Sequence, residues 1–503
     1  MPIIEDDLIE LTLQQLSETG WLSVNTEEEY EISALVRKTF VWHKENQYDY
    51  TAELANCLTI NFFTEQHDNL KDNIFYRQHL LHYLDFVIPV PNPQYLTTLK
   101  KLIDDNKEAG KYYDELHHRK IYFKLAVQCY GQDSDTIIEA ETDLAWNYRI
   151  TGNLKAAQKH GQYALQKAYR LLSELAPLTG KCEGNLGMVL QDLGDYAGAK
   201  ELLQNAMLSD EANFGPDHHT TAVRYSNLAI ALQALGDYQG AKTLLEKAMI
   251  LNETNYGPDH PTTAGIYSNL AIVLDALGNY QGAKTLLQKA MISDEANFGT
   301  DHPTTAVRYC NLANVLKNLG DYQGAKELLV KAMISDEANF GKDHPVTAVR
   351  YSSLALVYQE LGDYQSAKTY FEKAMISDEA NFGPNHPSTA RSYSNFSTVL
   401  KVFGDCQGAK NLLQKAMIAD EANFGPDHPT TALSYSNLAM VLSDLKEYEM
   451  AMLLMFKAYK IWYNHFEENH PYHQVAISNL NGIIDEMLQN GYTAVDIQKL
   501  INN

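Results

Sequence analysis

The sequence predicts an all-α chain: a superhelical solenoid of antiparallel helix pairs with a small winged-helix-like or helical amino-terminal cap. Three observations predict it. A glycine turn, mostly Gly-Asp/Asn-Tyr, recurs every 42 residues at Gly194, Gly236, Gly278, Gly320, Gly362 and Gly404. Apolar residues at helical spacing flank each turn on both sides. Between copies, a closing segment of the type NFGPDHP supplies a glycine to end one helix and a proline to begin the next. Self-similarity at a fixed period of this size marks a solenoid. Looser copies extend the register through Gly152 and Gly110 upstream, Lys446 downstream, and Leu488 in a worn-down last copy.

One copy, residues 225–261, shows how each part is specified. Tyr225, Leu228, Ala229, Leu232 and Leu235 form the buried face of a first helix. Gly236 supplies the left-handed residue past its end. Asp237, or Asn279 in the next copy, caps the second helix. Ala241, Leu245, Ala248 and Met249 give that helix its own apolar face. Ala229 and Ala241 are small enough for the two helices to approach closely. Pro261 suits the first turn of the following helix, where its missing N–H is no loss.

The array and its terminal cap take residues 91–503, ending in a first helix over 475–488 and a short polar helix. Residues 46–90 read as a degenerate helical cap, bounded by Pro89, Pro91 and Pro93. Residues 1–45 read as an amphipathic helix carrying Leu8, Ile9, Leu11 and Leu16. Two short strands over 21–24 and 30–32 follow, then a helix over 34–43.

The chain has 503 residues, 45% hydrophobic and 21% charged, an ordinary globular composition. Lys and Arg number 40 against 64 Asp and Glu, for a formal net charge of −24. Such a surface repels phosphate backbones and anionic lipid, which argues against nucleic acid as a partner. The five cysteines, Cys57, Cys129, Cys182, Cys310 and Cys406, are scattered and odd in number. A reduced, cytoplasmic setting fits that pattern. The first residues, MPIIEDDLIE, are acidic where a signal peptide is basic. No apolar run is long enough to span a membrane.

Leu228, Ala229, Leu232, Gly236, Tyr238, Ala241 and Ala248 match the packing positions of the tetratricopeptide repeat, which the array closely resembles. The usual unit is about 34 residues. The extra length here falls after Ala248. With its HPxTA start and NFG end, the longer unit is similar to the kinesin light chain type. The segment "GWL…YEISALVRK" resembles the winged helix of signal-transducing NTPases with tandem repeats, on Leu16, Gly20, Leu22, Tyr30, Ile32, Leu35 and Val36. The alternative is a helical cap with a chance hairpin.

GDYQGAKT at 236–243, and its Asn form at 278–285, mimics a phosphate-binding loop. Ala241 and Ala283 stand where the glycine before Lys is required, and no strand precedes. His218, His260, His302, His344, His386, His428 and His470 recur once per copy. A metal site needs ligands that converge, so this spaced series reads as a loop or helix-start feature. No catalytic constellation stands out, and no cofactor or metal is expected.

An asparagine ladder carries the functional signal. Asn185, Asn227, Asn269, Asn311, Asn395, Asn437 and Asn479 lie nine residues before the turn position, with Asp143 and Ser353 in two other copies. Asparagine is a mediocre helix residue, so its recurrence on one face asks for a reason. Helical spacing places the residues four before, three after and seven after it on that face. They include Val307, Asn314 and Asn318 beside Asn311, and Arg391 and Thr398 beside Asn395. The resemblance implies that this face lines a concave groove in which Asn bonds a ligand backbone. Amides for main chain and apolar pockets for side chains suit an extended peptide. The alternatives are bonding between neighbouring repeats or recent duplication, neither of which needs a ligand.

The stripe holds the acids Glu139, Asp143, Asp192, Glu360 and Asp444 against the bases Lys181 and Arg391. It lacks the Lys and Arg set of co-chaperone carboxylate clamps, and the basic residues for the acidic peptides that kinesin light chains accept. The expected function is a non-catalytic interaction scaffold. Its partner is a peptide or protein, neutral or mildly basic, with apolar anchors. The alternative is the sensor arm of a signal-transducing NTPase lacking its nucleotide-binding domain.

Overall fold

The computed structural model describes residues 23–24, 30–31, 93–467 and 470–502. They fall into two units, residues 1–235 and 236–503. The first holds a two-stranded antiparallel pair, β1 (Ser23–Val24) and β2 (Tyr30–Glu31), with Ser23 opposite Glu31 and Val24 opposite Tyr30. The strand pair expected in this stretch is therefore present. The helices expected around it, and the cap over 46–90, lie outside the described residues.

The first unit continues as α1 (Pro93–Glu108), α2 (Tyr112–Tyr130), α3 (Asp135–Ile150), α4 (Leu154–Leu171), α5 (Pro177–Asp192), α6 (Tyr196–Phe214) and α7 (His219–Ala234). The second runs α8 (Tyr238–Tyr256), α9 (Pro261–Ala276), α10 (Tyr280–Phe298), α11 (Pro303–Asn318), α12 (Tyr322–Phe340), α13 (Pro345–Glu360) and α14 (Tyr364–Phe382). It ends with α15 (Pro387–Val402), α16 (Cys406–Phe424), α17 (Pro429–Asp444), α18 (Tyr448–His465), α19 (Pro471–Gln489) and α20 (Ala494–Asn502). Odd-numbered helices are the first of each pair and even-numbered helices the second.

The turns are built as the sequence predicts. Gly278 sits at φ +77°, between α9 and α10. The Asn279 side chain accepts the Gly282 N–H at 3.0 Å and so caps α10. The equivalent Asp237 takes the Gly240 N–H at 2.9 Å. The phosphate-loop mimic thus spends a backbone donor on its own helix cap. Lys446 holds the same left-handed position at φ +63° without being glycine, at a cost of roughly 1 kcal/mol. In the last copy the turn glycine is Gly491 (φ +95°), three residues beyond the Leu488 that the register singles out, because α19 runs to Gln489.

The recurring histidines are helix N-caps. His302 Nδ1 accepts the Thr304 N–H at 3.2 Å, and its ring stacks on Phe298 with centroids 4.9 Å apart. His260, His344, His386, His428 and His470 repeat the cap in the second unit.

Small residues let each pair close. Ala271 and Ala283 are fully buried where α9 meets α10, as are Ala313 with Ala325 and Ala355 with Ala367. Each second helix is then bonded to the next first helix across the loop. Tyr267, Tyr309, Tyr351 and Tyr393 are buried and donate their hydroxyls to Glu253, Glu295, Glu337 and Glu379 at 2.6–2.8 Å. Tyr435 does the same to Glu421. Burial and the bonded glutamate push these phenols well above their ordinary range. In the first unit the pair appears both ways round: Tyr225 on Glu211, but Tyr169 on Glu183 with the two residue types exchanged.

One position earlier, a buried ion pair spans the same joint. Arg308 reaches Asp294 at 2.7 Å, Arg350 reaches Asp336 at 2.6 Å, and Arg224 reaches Asp210 at 2.8 Å. At the α8–α9 joint the equivalent residues are Asn252 and Ile266, both buried and neither charged. Acid and base disappear together, as the cost of an unpaired buried charge requires. The last second helix, α20, is amphipathic where the sequence reads as polar: Ile497 is buried in the core with Met487.

The Asn252–Ile266 joint generates a prediction. Arg350→Ile alone leaves Asp336 buried without its counterion and costs about 3–5 kcal/mol. Adding Asp336→Asn reproduces the neutral joint and recovers most of that loss. Urea midpoints of the three proteins check this. Equal destabilisation in the single and double variants would contradict it.

Candidate functional site

Neighbouring first helices are joined by side-chain bonds 43 residues apart in sequence. Arg149 bonds Asp192 at 2.6 Å, joining α3 to α5 in the first unit. In the second, Asn318 bonds Asp275 at 2.8 Å, Lys401 bonds Asp444 at 2.7 Å and Ser443 bonds Glu486 at 2.7 Å. The first helices of each unit therefore lie side by side, and their equivalent positions form rows.

The ladder positions form one such row in each unit. Asn185 and Asn227 are half-buried on α5 and α7. Asn269, Asn311, Asn395 and Asn437 are half-buried on α9, α11, α15 and α17, with Ser353 on α13. Most positions in the rows on either side are exposed. Four residues before the ladder stand Val307, Val349, Arg391 and Leu433; three after stand Ile272, Asn314, Leu356 and Thr398. Val349 and Leu433 are 45% and 42% exposed, large values for aliphatic side chains on a packed helix. Gly265 occupies this row on α9, and a Cβ there would meet nothing within 4 Å. Packing does not ask for that glycine. It leaves a dip in the row.

Part of the ladder bonds between repeats. Asn311 Nδ2 donates to Ser268 Oγ at 3.1 Å, and Asn227 Nδ2 to the Met188 sulfur at 3.4 Å. Asn269 also has a partner within the protein. Among the described residues, no hydrogen bond uses the side chains of Asn185, Asn395 or Asn437. An amide has two donor hydrogens and two acceptor lone pairs, so even Asn311 keeps capacity beyond its one bond.

The stripe charges are mostly consumed internally. Lys181 pairs with Asp143 at 2.8 Å and Glu139 at 3.5 Å, and Asp192 and Asp444 are held by Arg149 and Lys401. Among the described residues, Glu360 and Arg391 form no ion pair. Both are exposed. Arg391 owes its position to a local exchange. Where α13 reads TAVRYS, with Arg350 turned inward to Asp336, α15 reads TARSYS. The arginine has moved one residue onto the exposed row, and Ser392 donates to the buried Asp378 at 2.5 Å in its place. Ser434 does the same for Asp420. Burial pushes the Asp378 carboxyl up, against the opposing effects of the Ser392 bond, Arg391 and His386. Burial likewise raises Asp420, opposed by Ser434 and His428.

A second exposed series escaped the sequence reading. Ile250, Ile292, Ile334, Ile376 and Ile418 repeat on the second helices of the second unit, each at least 55% exposed, with Leu208 as their equivalent in the first. Its signal is plain once burial is known: an aliphatic residue directly after a half-buried methionine in copy after copy.

The tetratricopeptide repeat model matches the sequence over residues 182–249, 225–291, 262–333, 304–375, 351–417 and 397–464, together more than half of the chain. No curated protein matches it. Among solved structures, a signal transduction ATPase with numerous domains that has a tetratricopeptide repeat sensor, from Pyrococcus horikoshii, is similar at 15% identity. That likeness covers 92% of this chain and 69% of that one, with a TM-score of 0.59. The apo quorum sensor NprR from B. thuringiensis is 16% identical over 78% of this chain and 99% of its own, with a TM-score of 0.54. The nearly identical repeats of a kinesin light chain protein from Podosopora anserina are 24% identical over 41% of this chain and 98% of that one, with a TM-score of 0.38.

The serine-paired carboxylates predict a pH dependence. A carboxyl raised on folding contributes stability that is fully present below the ordinary Asp value of about 3.9 and is lost as pH rises through the folded value. Replacing Asp378 and Asp420 together by Asn removes that dependence. The variant should melt above the wild type at pH 7, and the gap should close as pH falls toward 4. Melting curves across that range check it; a gap that does not change with pH would contradict it.

Proposed function

Because the chain belongs to the tetratricopeptide repeat family, we propose that it is a non-catalytic, cytoplasmic interaction scaffold that takes a peptide or protein partner on its first-helix face. The observation that carries this reading is the pairing of half-buried amides with exposed aliphatic rows on successive first helices. Amides hold an extended main chain, and the aliphatic rows take alternate side chains. The candidate contacts are Asn185 and Asn227 in the first unit, and Asn269, Asn311, Asn314, Asn318, Arg391, Asn395 and Asn437 in the second. With most stripe charges neutralised internally, the partner segment is neutral or mildly basic with aliphatic or aromatic anchors.

A second reading, the sensor arm of a signal-transducing NTPase, is favoured by one observation. The likeness to the Pyrococcus horikoshii protein with a tetratricopeptide repeat sensor runs over 92% of this chain. On that reading the partner recovered in a pull-down is a nucleotide-binding domain.

Changing Asn269, Asn311 and Asn395 together to Ala separates a ligand role from a structural one. Alanine is the better helix former, so helicity should hold. Partner affinity should fall by about 1 kcal/mol per lost amide contact. Titration of the pulled-down partner against wild type and triple variant, with melting curves for both, reads the outcome. Unchanged affinity in a folded variant would sink the ligand role. A large drop in melting temperature would assign the ladder to bonding between repeats.

A further inference from the structure

Among the described residues of the second unit's stripe, Arg391 and Glu360 are the charged side chains that form no ion pair within the protein. They lie on neighbouring first helices, α15 and α13, at opposite ends of the exposed face. The arginine is there through the exchange that left Asp378 to Ser392. Asp378 still feels Arg391 through space but takes no bond from it among the described contacts. A guanidinium set among Val349, Leu433 and Asn395 is a strong, geometrically selective donor to a carboxylate. An exposed carboxylate at the far end of the next helix favours a cation.

Resting on the proposed peptide-binding role, we infer that this face selects an extended segment carrying one carboxylate and one cation, held by Arg391 and Glu360 with apolar side chains between them. The occupant is thus zwitterionic and close to neutral, which agrees with the charge balance of the stripe. The spacing follows from the fold. The α15 equivalent of Glu360 is Val402, eleven positions from Arg391. That is about 16 Å along the helix at about 1.5 Å per residue. Neighbouring helices stand about 10 Å apart, so the two charges are about 19 Å apart on the diagonal. An extended chain covers that distance in about six residues, at about 3.3 Å each.

The test is selection of phage-displayed random sixteen-residue peptides on the full chain. The recovered sequences are then remade synthetically and titrated against wild type, Arg391→Gln, Glu360→Gln and the Asn269/Asn311/Asn395→Ala variant. The inference expects an Asp or Glu and a Lys or Arg about six residues apart, with aliphatic or aromatic residues between. It expects binding about ten-fold weaker for Arg391→Gln and a smaller loss for Glu360→Gln. The double variant Arg391→Glu with Glu360→Arg should select peptides with the two charges in reverse order. Both positions are exposed, and circular dichroism checks that each variant is folded.

A further variant, Arg391→Val with Ser392→Arg, restores the inward-turned arginine of α13. It should abolish the acidic preference while keeping the chain folded. Peptides that need the ladder amides but show no charge pair, and ignore both Gln variants, would overturn this inference alone. A selection that yields no peptides, or only peptides indifferent to the amide triple variant, would overturn the groove reading and this inference with it.

Discussion

Everything in this chain depends on the joint between the end of one second helix and the start of the next first helix. A helix pair of this size cannot bury its apolar faces alone, so each pair is stable only against its neighbour. The joint fixes how that neighbour docks. At the six joints from α6–α7 to α16–α17 a buried tyrosine bonds a glutamate fourteen residues earlier, and a threonine hydroxyl bonds the carbonyl of the glycine that ends the preceding helix. Thr305 Oγ1 to the Gly299 carbonyl, at 2.8 Å, is typical. The threonine hydroxyls are buried, so losing their bonds would leave a polar group stranded, while each glutamate stays half-exposed at the edge of the joint. These bonds also set the 42-residue step, because a residue inserted between tyrosine and glutamate would pull the pair apart. From that step follow the alignment of the first helices and the rows of amides and aliphatics on their exposed face.

The copies that depart from the pattern show which term dominates. The buried aspartate keeps its arginine at Asp294 and Asp336, becomes asparagine opposite Ile266, and faces serine at Asp378 and Asp420. The Asn252–Ile266 joint changes both sides of the contact and the serine joints change only one, and each variation avoids an aspartate with no polar partner. The exchange of Tyr169 and Glu183 relative to Tyr225 and Glu211 keeps the bond while reversing its direction. Duplication alone would copy residues. It would not keep contacts satisfied when the residues change. The same logic links core and surface in α15, where the arginine missing from the buried joint is the one exposed beside the ladder.

Much of this was legible in the sequence. Glycine spacing, asparagine and aspartate caps, the proline at the first turn and the apolar periodicity each have a local cause, and each element between 93 and 489 follows from them. The ladder was legible as a shared face because helical spacing alone puts those residues together. The joints were not. Tyr309 falls on the face read as buried, but its partner Glu295, and Arg308 with Asp294, are fourteen residues away across a loop and look like ordinary solvated side chains until the helices are docked. The internal pairing of Asp192, Lys181 and Asp444 was hidden for a similar reason, since a separation near 43 means contact only once adjacent first helices are known to lie side by side. Gly491, rather than Leu488, closes α19 because the worn-down copy lengthens its helix. Ile497 is buried although its short helix reads as polar in composition.

Two exposed apolar series compete as contact surfaces: the first-helix rows around the amides and the isoleucines of the second helices. An amide recurs from copy to copy only beside the first, which is why the scaffold is proposed to work through that face. A photoreactive phenylalanine analogue at Leu356, or at Ile376 in a separate protein, distinguishes them when each full chain is irradiated in cells that express it. The account predicts covalent adducts to a partner from position 356 and none from position 376. Adducts from position 376 alone would contradict it.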